Sequence, residues 1–301
     1  MVTLEKTKKA AKLRPIKLTD RDDSIFRWIW LFDGVMSAEQ IQRLEFGSWH
    51  RARLRLGYLY QHGYLNRPDR HTRAGLPQMI YWLTAKSAER VAGSQGRPLK
   101  GFKWRHKPRW GLVPHDLKIN DFRVAVYLAC RRASHLQVLE WTNSGQFWRF
   151  PDTVTYRRPE GNEAKRTVRP DGFFVIHNQE TGINSRFLLE LDNDSNEDLS
   201  RIADEKILPG IWYFASEGYK RRTGGFTSGH WLFVISTPNA ELRLANMKRK
   251  VESVAGKYAK RFWFTTLDAV LATENALLDP IWYEGGNTQL LSLIFAGDDV
   301  V

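Results

Sequence analysis

The stretch Arg169–Glu197, RPDGFFVIHNQETGINSRFLLELDNDSNE, sets two apolar runs, Phe173–Ile176 and Phe187–Leu189, against a row of acids. Asp171 precedes the first run, and Glu190, Asp192 and Asp194 follow the second. Runs this short and this apolar, broken by a Gly-containing turn, are expected to be buried strands. If the two strands are neighbours and antiparallel, the start of one lies beside the end of the other, and Asp171 and Glu190 converge. Two carboxylates brought together raise each other's pKa unless a cation or a proton neutralises them. Hard oxygen donors of this kind suit magnesium or manganese. Asp194 and Ser195 have a simpler role, as turn or cap residues leading into a helix at Glu197.

The chain around this stretch alternates between helix and strand. A helix over Asp116–Arg132 precedes a strand near Leu136–Trp141, and a polar stretch separates it from the strands at Gly172–Ile176 and Arg186–Leu191. A helical segment then spans Glu197–Ser216, bent at Pro209. Further on come a strand at Trp231–Ser236, a helix at Glu241–Ala255, a short strand at Phe262–Thr265 and a last helix. This order predicts an α/β or α+β domain, a mixed sheet flanked by helices. Lys206 falls at the edge of the apolar face of Leu199, Ala203 and Ile207, and an ammonium turned towards a core needs a partner. Asp121 interrupts the stripe Leu117, Val124, Leu128 in a similar way. Each alone is readily a snorkelling or capped side chain. Together they describe a polar pocket ringed by Asp121, Asp171, Glu190, Asp192 and Lys206.

Charge separates the front of the chain from the rest. Of the net +13, residues 1–110 carry 23 Lys+Arg against 9 Asp+Glu, a net of +14, whereas residues 111–301 carry 23 against 24, a net of −1. Such asymmetry implies one part that binds a polyanion and another with a different task. Residues 1–19 read as a flexible basic arm. Helices are expected at Ser24–Phe32, at SAEQIQRLEF, where Ser37 and Gln40 have the spacing of a capping box, and after Ser48. In the third, Ala52, Leu56, Leu59, Tyr60 and Gly63 share one face, and Arg51, Arg55 and Tyr58 lie opposite. Two extended pieces, GYLNR and QMIYWLT, flank the basic loop PDRHTRAGLP. Three helices and a basic hairpin predict a winged helix over residues 20–92, with the third helix in the major groove. Arg51, Arg53, Arg55 and Tyr58 then read or track DNA, and Arg67, Arg70 and Arg73 hold phosphates. The competing reading makes these arginines solvated surface, or the winged helix a protein-contact module. Residues 93–114 read as a linker, with Trp104 and Trp110 either touching nucleic acid or packing the domains together, and residues 115–301 form the second domain.

Several classes are excluded. Cys130 is the only cysteine, so neither an internal disulfide nor a multi-thiolate zinc site can form. No apolar run is long enough to cross a bilayer, and the basic N-terminus lacks a following apolar core, so a soluble cytoplasmic protein is expected. No glycine-rich loop ends in Gly-Lys-Ser/Thr, which argues against ATP hydrolysis.

Pro170-Asp171 followed by Glu190-Leu191-Asp192 resembles the PD-(D/E)XK nuclease core, in which metal-bound acids and a lysine cut phosphodiesters. More widely, Ser24–Tyr283 resembles the replication-relaxation family of bacterial plasmids and mobile elements, through RLGYLYQHGYLNR, YWLTAKSAERV, HDLKINDF, RPDGFFVI, FLLELDN and the helix holding Lys206 and Tyr213. The resemblance implies a winged helix joined to a nuclease-like domain, acting on DNA in plasmid or mobile-element replication or mobilisation. It implies Asp171, Glu190 and Asp192 as ligands to Mg2+ or Mn2+, with Lys206 beside the scissile phosphate and His115 and Asp121 assisting. Replication or conjugation proteins are the implied partners, and a homodimer is left open. The chain departs from the pattern at Asp192, where a lysine is expected. Lys206 supplies the cation from the next helix, or the domain has lost cleavage and serves as a non-catalytic regulator.

Overall fold

Helix starts in the first part of the chain follow their capping residues. The computed structural model describes residues 15–158, 161–193 and 198–294. The chain divides into two units, residues 1–113 and 114–301. Most of the expected basic arm, and Asp194, Ser195 and Glu197, lie outside the described residues.

In the first unit α1 (Asp20–Leu31) begins at Thr19, whose N–H donates to Asp22 Oδ2 at 2.7 Å. A two-residue strand, β1 (Met36–Ser37), leads into α2 (Ala38–Glu45), where Ser37 and Gln40 form the expected capping box. Helix α3 (Trp49–Gln61) buries Ala52, Leu56 and Leu59. Tyr60, expected on that face, is 37% exposed, since at 100° per residue it lies well round from Ala52. Strands β2 (Leu65–Asn66) and β3 (Ile80–Leu83) pair antiparallel, and the sheet order is β1-β3-β2. The expected open loop between them contains a short helix, α4 (Arg70–Ala74), because Asp69 accepts from Thr72 N at 2.8 Å and starts a turn. Helix α5 (Ala85–Ser94), capped by Thr84, completes the unit's regular elements.

The expected linker folds back onto this unit. Trp30 Nε1 donates to Lys103 O at 3.0 Å, and the rings of Trp30 and Phe102 stack with centroids 5.4 Å apart. Arg105 donates to the carbonyl of Asp33 at 2.6 Å and to both of its carboxylate oxygens at 2.8 Å. Gly34 has φ +86°, and a Cβ there would overlap Arg105 Cβ. The Asp33-Gly34 turn therefore ends α1 and also receives an arginine from 72 residues away.

In the second unit, α6 (Val113–Arg132) precedes β4 (Leu136–Asn143) and α7 (Ser144–Arg149). The stretch expected to be merely polar then forms a hairpin of β5 (Asp152–Arg157) and β6 (Glu163–Val168). Next come β7 (Gly172–Asn178), β8 (Asn184–Asp192), α8 (Leu199–Ile202), a π-helical turn at Ala203–Ile207 and α9 (Leu208–Tyr213). The chain continues through α10 (Glu217–Thr223), β9 (His230–Ile235), α11 (Ala240–Ala255), β10 (Phe262–Thr266), α12 (Leu267–Ala272), β11 (Trp282–Glu284) and β12 (Leu290–Leu291). The helical backbone runs on from Leu199 to Tyr213, with its irregularity, the π turn, immediately before Pro209, which sits in the first turn of α9, where its missing N–H is tolerated.

The seven-stranded sheet has the order β12-β11-β10-β9-β8-β7-β4. β4, β7 and β8 form successive antiparallel pairs, and β8, β9 and β10 are mutually parallel. The unit is thus a mixed α+β layer structure. Alternation along the strands divides its core. Phe174, Phe187, Leu189 and Leu191 pack with Phe122, Val126 and Ala129 of α6, and Phe173, Val175 and Leu188 pack with Ile207, Ile211, Leu244 and Met247. Cys130 packs at the edge of the α6 core, and burial pushes its thiol up to about 12, which removes it as a nucleophile at neutral pH. No helix among the described residues is long and apolar enough to cross a membrane.

Candidate functional site

Strand period and register bring the acids together. Gly172 pairs with Leu189, and Asp171 N donates to Leu189 O at 2.8 Å, so Asp171 stands beside Glu190 across the β7–β8 ladder. Asp171 Oδ2 accepts from Leu191 N at 2.9 Å, and its Oδ1 lies 3.0 Å from His115 Nε2 on α6. Glu190 is two residues beyond Leu188 and so points to the α8–α11 side. There the π turn delivers Lys206, whose Nζ donates to Glu190 Oε1. The other oxygen, Glu190 Oε2, is buried with no hydrogen-bond partner among the described residues.

The electrostatics follow from this geometry. Burial is the largest influence on Glu190; Lys206 pulls its carboxyl down, Asp171 pushes it up, and the outcome is about 7. Lys206 is bonded to a carboxyl shifted towards neutrality because Glu190 is almost wholly buried, while the ammonium keeps 26% of its surface in water, which screens it. For His115, burial lowers the imidazole pKa, but the hydrogen bond and charge of Asp171, helped by Glu190 and Asp116, outweigh it and raise the pKa overall. A dense, partly exposed cluster of two carboxylates, an imidazole and an ammonium results.

The third expected ligand goes elsewhere. Asp192 Oδ2 accepts from Arg243 Nε of α11 at 2.8 Å, with side chains 4% and 9% exposed. Among the described residues no three His, Cys, Asp or Glu side chains gather as a metal site. Asp121 is half-buried on α6, six residues from His115 and so 120° round the helix from it. A charged residue nearer to His115's side of α6 is Lys118, 60° round the helix, whose Nζ donates to Ser236 O at 2.9 Å. Ser236 N in turn donates to Asp192 O at 2.7 Å, so Lys118 stands at the same end of the sheet. Its spacing of three from His115 was the available signal. Arg243 and the role of the β5–β6 hairpin left no such signal. Arg158 and Arg166 from that hairpin both bind Asp204 in the π turn, the former at 2.7 Å, and Tyr156 OH donates to Asp204 O at 3.2 Å. The hairpin thus fastens the turn that carries Lys206. Tyr213, on the neighbouring helix, is fully buried and donates to Asp152 at 2.6 Å, an anchoring bond.

The basic residues of the first unit fall into two groups. Arg51, Arg53 and Tyr58 are exposed on α3, and Arg67 is also exposed, with its guanidinium 4.1 Å from the ring centroid of Tyr60. Arg55, expected beside them, is committed inward. Its Nε donates to Asp22 Oδ1 at 2.8 Å and its NH2 to Lys17 O at 2.8 Å, and Asp22 is fully buried. Burial raises the Asp22 pKa, but the bonds from Arg55 and Thr19 outweigh it and lower the value overall. Arg73 is half-buried and donates to Leu76 O. Arg70 is the first residue of α4. Trp104 lies against His106 with centroids 3.9 Å apart, and Trp110 meets Trp82 edge-on at 5.6 Å.

No curated protein and no solved structure matches the chain. The replication-relaxation family profile matches residues 32–228, a span that takes in α2 to α10 and includes His115, Asp171, Glu190 and Lys206. On that match, the chain belongs to the replication-relaxation family.

Proposed function

We propose that this protein binds DNA through its first unit in plasmid or mobile-element replication, and that its second unit is a PD-(D/E)XK-like, metal-dependent phosphodiesterase. Family membership supports the replication role. The DNA-binding reading is supported by the helix and strand order of the first unit, three helices followed by the β2–β3 pair, as expected for a winged helix, and by Arg51, Arg53 and Tyr58 exposed on the third helix. The nuclease reading is supported by the succession α6, β4, β7, β8, α8–α9, β9, with Asp171 and Glu190 at adjacent strands. The observation that carries it is Glu190 itself: a buried carboxylate with one oxygen lacking a hydrogen-bond partner among the described residues, next to a second carboxylate and a lysine.

Asp171 and Glu190 fit a hard divalent cation, and they are the residues that would hold it. Asp192 does not fit, since Arg243 already neutralises it. When bound, such a cation supplies an activated water and charge stabilisation at the leaving oxygen. The protein's own groups do the rest. Lys206 offsets charge on the phosphate from the π turn, and His115, with its pKa raised by Asp171, orients that carboxylate and can hold a proton at Nε2.

A non-catalytic regulator is the second reading, and a specific observation favours it. Lys206 and His115 already pair with the two acids, as in a structural ion-pair network. Supercoiled plasmid incubated with the protein and magnesium or manganese separates the two. Nicking abolished by Asp171→Ala and by Glu190→Ala is expected. Nicking that survives both changes removes this site, and plasmid binding without nicking selects the regulator. In the same samples, binding should weaken steeply with salt, and Arg51→Ala combined with Arg53→Ala should reduce the log–log salt slope by roughly 1 for each phosphate that is no longer neutralised.

A further inference from the structure

The segment after α5 builds with the β2–β3 hairpin a groove that shares with the winged-helix reading only Arg67. The groove holds about 420 Å³, and its lining includes Asn66, Arg67, Trp82, His106, Lys107 and Trp110. That volume falls among sites for small ligands, roughly 300–1,000 Å³. One part of the lining carries the exposed cations Arg67 and Lys107, beside Asp69, whose carboxylate is engaged in accepting from Thr72 N as the cap of α4. Another wall offers an indole, since Trp110 is 42% exposed while its contact with buried Trp82 fixes its position. The wall is firmly mounted, because Arg105 is clamped by Asp33 and Trp30 holds the backbone at Lys103.

We propose that this groove binds unpaired DNA, with a base stacked on Trp110 and its phosphate between Arg67 and Lys107. Charge selects a polyanion, and the exposed ring selects a strand whose base faces are available. A duplex keeps those faces inside its own stack, so the indole would find nothing to meet. The inference rests on the DNA-binding reading of the first unit. It makes that unit a reader of junctions between paired and unpaired DNA, with α3 on the duplex and the groove on the strand that leaves it.

The test is a fluorescence-anisotropy titration of the full chain with a short labelled oligothymidylate and, separately, with a blunt duplex. Trp110→Ala should weaken oligothymidylate binding by about tenfold, within the range for removal of one stacked base, and leave duplex affinity within about twofold. Trp110→Tyr, which keeps a ring against Trp82, should recover most of the loss and shows that the effect is not misfolding. Lys107→Ala should weaken oligothymidylate binding and flatten its salt dependence. Arg51→Ala with Arg53→Ala should do the reverse, harming the duplex arm more. Oligothymidylate affinity unchanged in Trp110→Ala, or an equal loss on both probes that Trp110→Tyr does not restore, overturns the proposal. Wild-type protein that binds the duplex but not oligothymidylate also overturns it and leaves the parent reading standing; binding to neither probe removes both.

Discussion

The two units handle charge in opposite ways. In the first, several acids are taken up by arginines of the same unit, Asp22 by Arg55, Asp23 by Arg90 and Asp33 by Arg105, while Arg51 and Arg53 remain exposed. The second unit is nearly neutral in sum yet buries charge, with Glu190 on Lys206, Asp192 on Arg243, and Asp152 shared by Tyr213 and Arg222. Exposed like charges act at a distance, are weakened by salt and cost the fold little. Buried pairs act over a few ångströms and are expensive to break. Net charge therefore distinguishes the two units, but it is blind to the buried acidic cluster of the second.

Breaking one pair from each unit puts the sharpest strain on this comparison. Arg243→Ala leaves Asp192 buried without its guanidinium and should cost about 3–5 kcal/mol. The exposed Arg90–Asp23 pair, with side chains 42% and 36% in solvent, should lose under about 1 kcal/mol in Arg90→Ala. Urea denaturation of both variants measures the two values, and equal costs would erase the distinction. Next in size is Gly34→Ala, at about 1–3 kcal/mol, from a side chain forced to positive φ against Arg105. Limited proteolysis within residues 102–110 should accelerate in that variant. Unchanged proteolysis would mean that the returning segment is held independently of the turn.

The last expected effect is a pH dependence. Glu190 has a folded-state pKa raised from 4.5 to about 7. Its contribution to stability is therefore fully present below about pH 4.5 and is lost as pH rises through about 7. Glu190→Gln should abolish that component, so the stability difference between pH 5 and pH 8 should shrink relative to wild type. His115, also raised, drifts in the same direction above its ordinary value. His230, lowered to about 4 by burial, acts oppositely, losing stability as pH falls from about 6.5 towards 4. Only the difference between the variant and wild-type profiles isolates Glu190, and identical profiles would place its titration outside this range.

Legible in the sequence were the features that repeat and the polar groups that burial forces into pairs. The β7–β8 pairing followed from two apolar runs and a turn, and Lys206 followed from an ammonium on an apolar face. The capping box at Ser37 and Gln40 carried its own spacing. Strand β1 has two residues, too few for any period, and its existence depends on β3, 43 residues later by the Ser37–Ile80 pairing. Arg55 looked like its neighbours Arg51 and Arg53, because nothing local shows that Asp22, 33 residues away, lies buried beneath it. The pairing of Asp192 was hidden for the same reason: its partner on α11, Arg243, is 51 residues distant. Long-range partners of charged groups are invisible to spacing, whereas apolar periodicity is not.

The β5–β6 hairpin changes how variation in this chain should be understood. Two arginines from a stretch that reads as filler grip Asp204, two positions before Lys206. The reach of that ammonium is consequently set by a remote ribbon, not only by the helix it belongs to. Insertions or shortenings of the ribbon would retune the acidic cluster while leaving every one of its residues in place, giving evolution a dial that motif comparison cannot see.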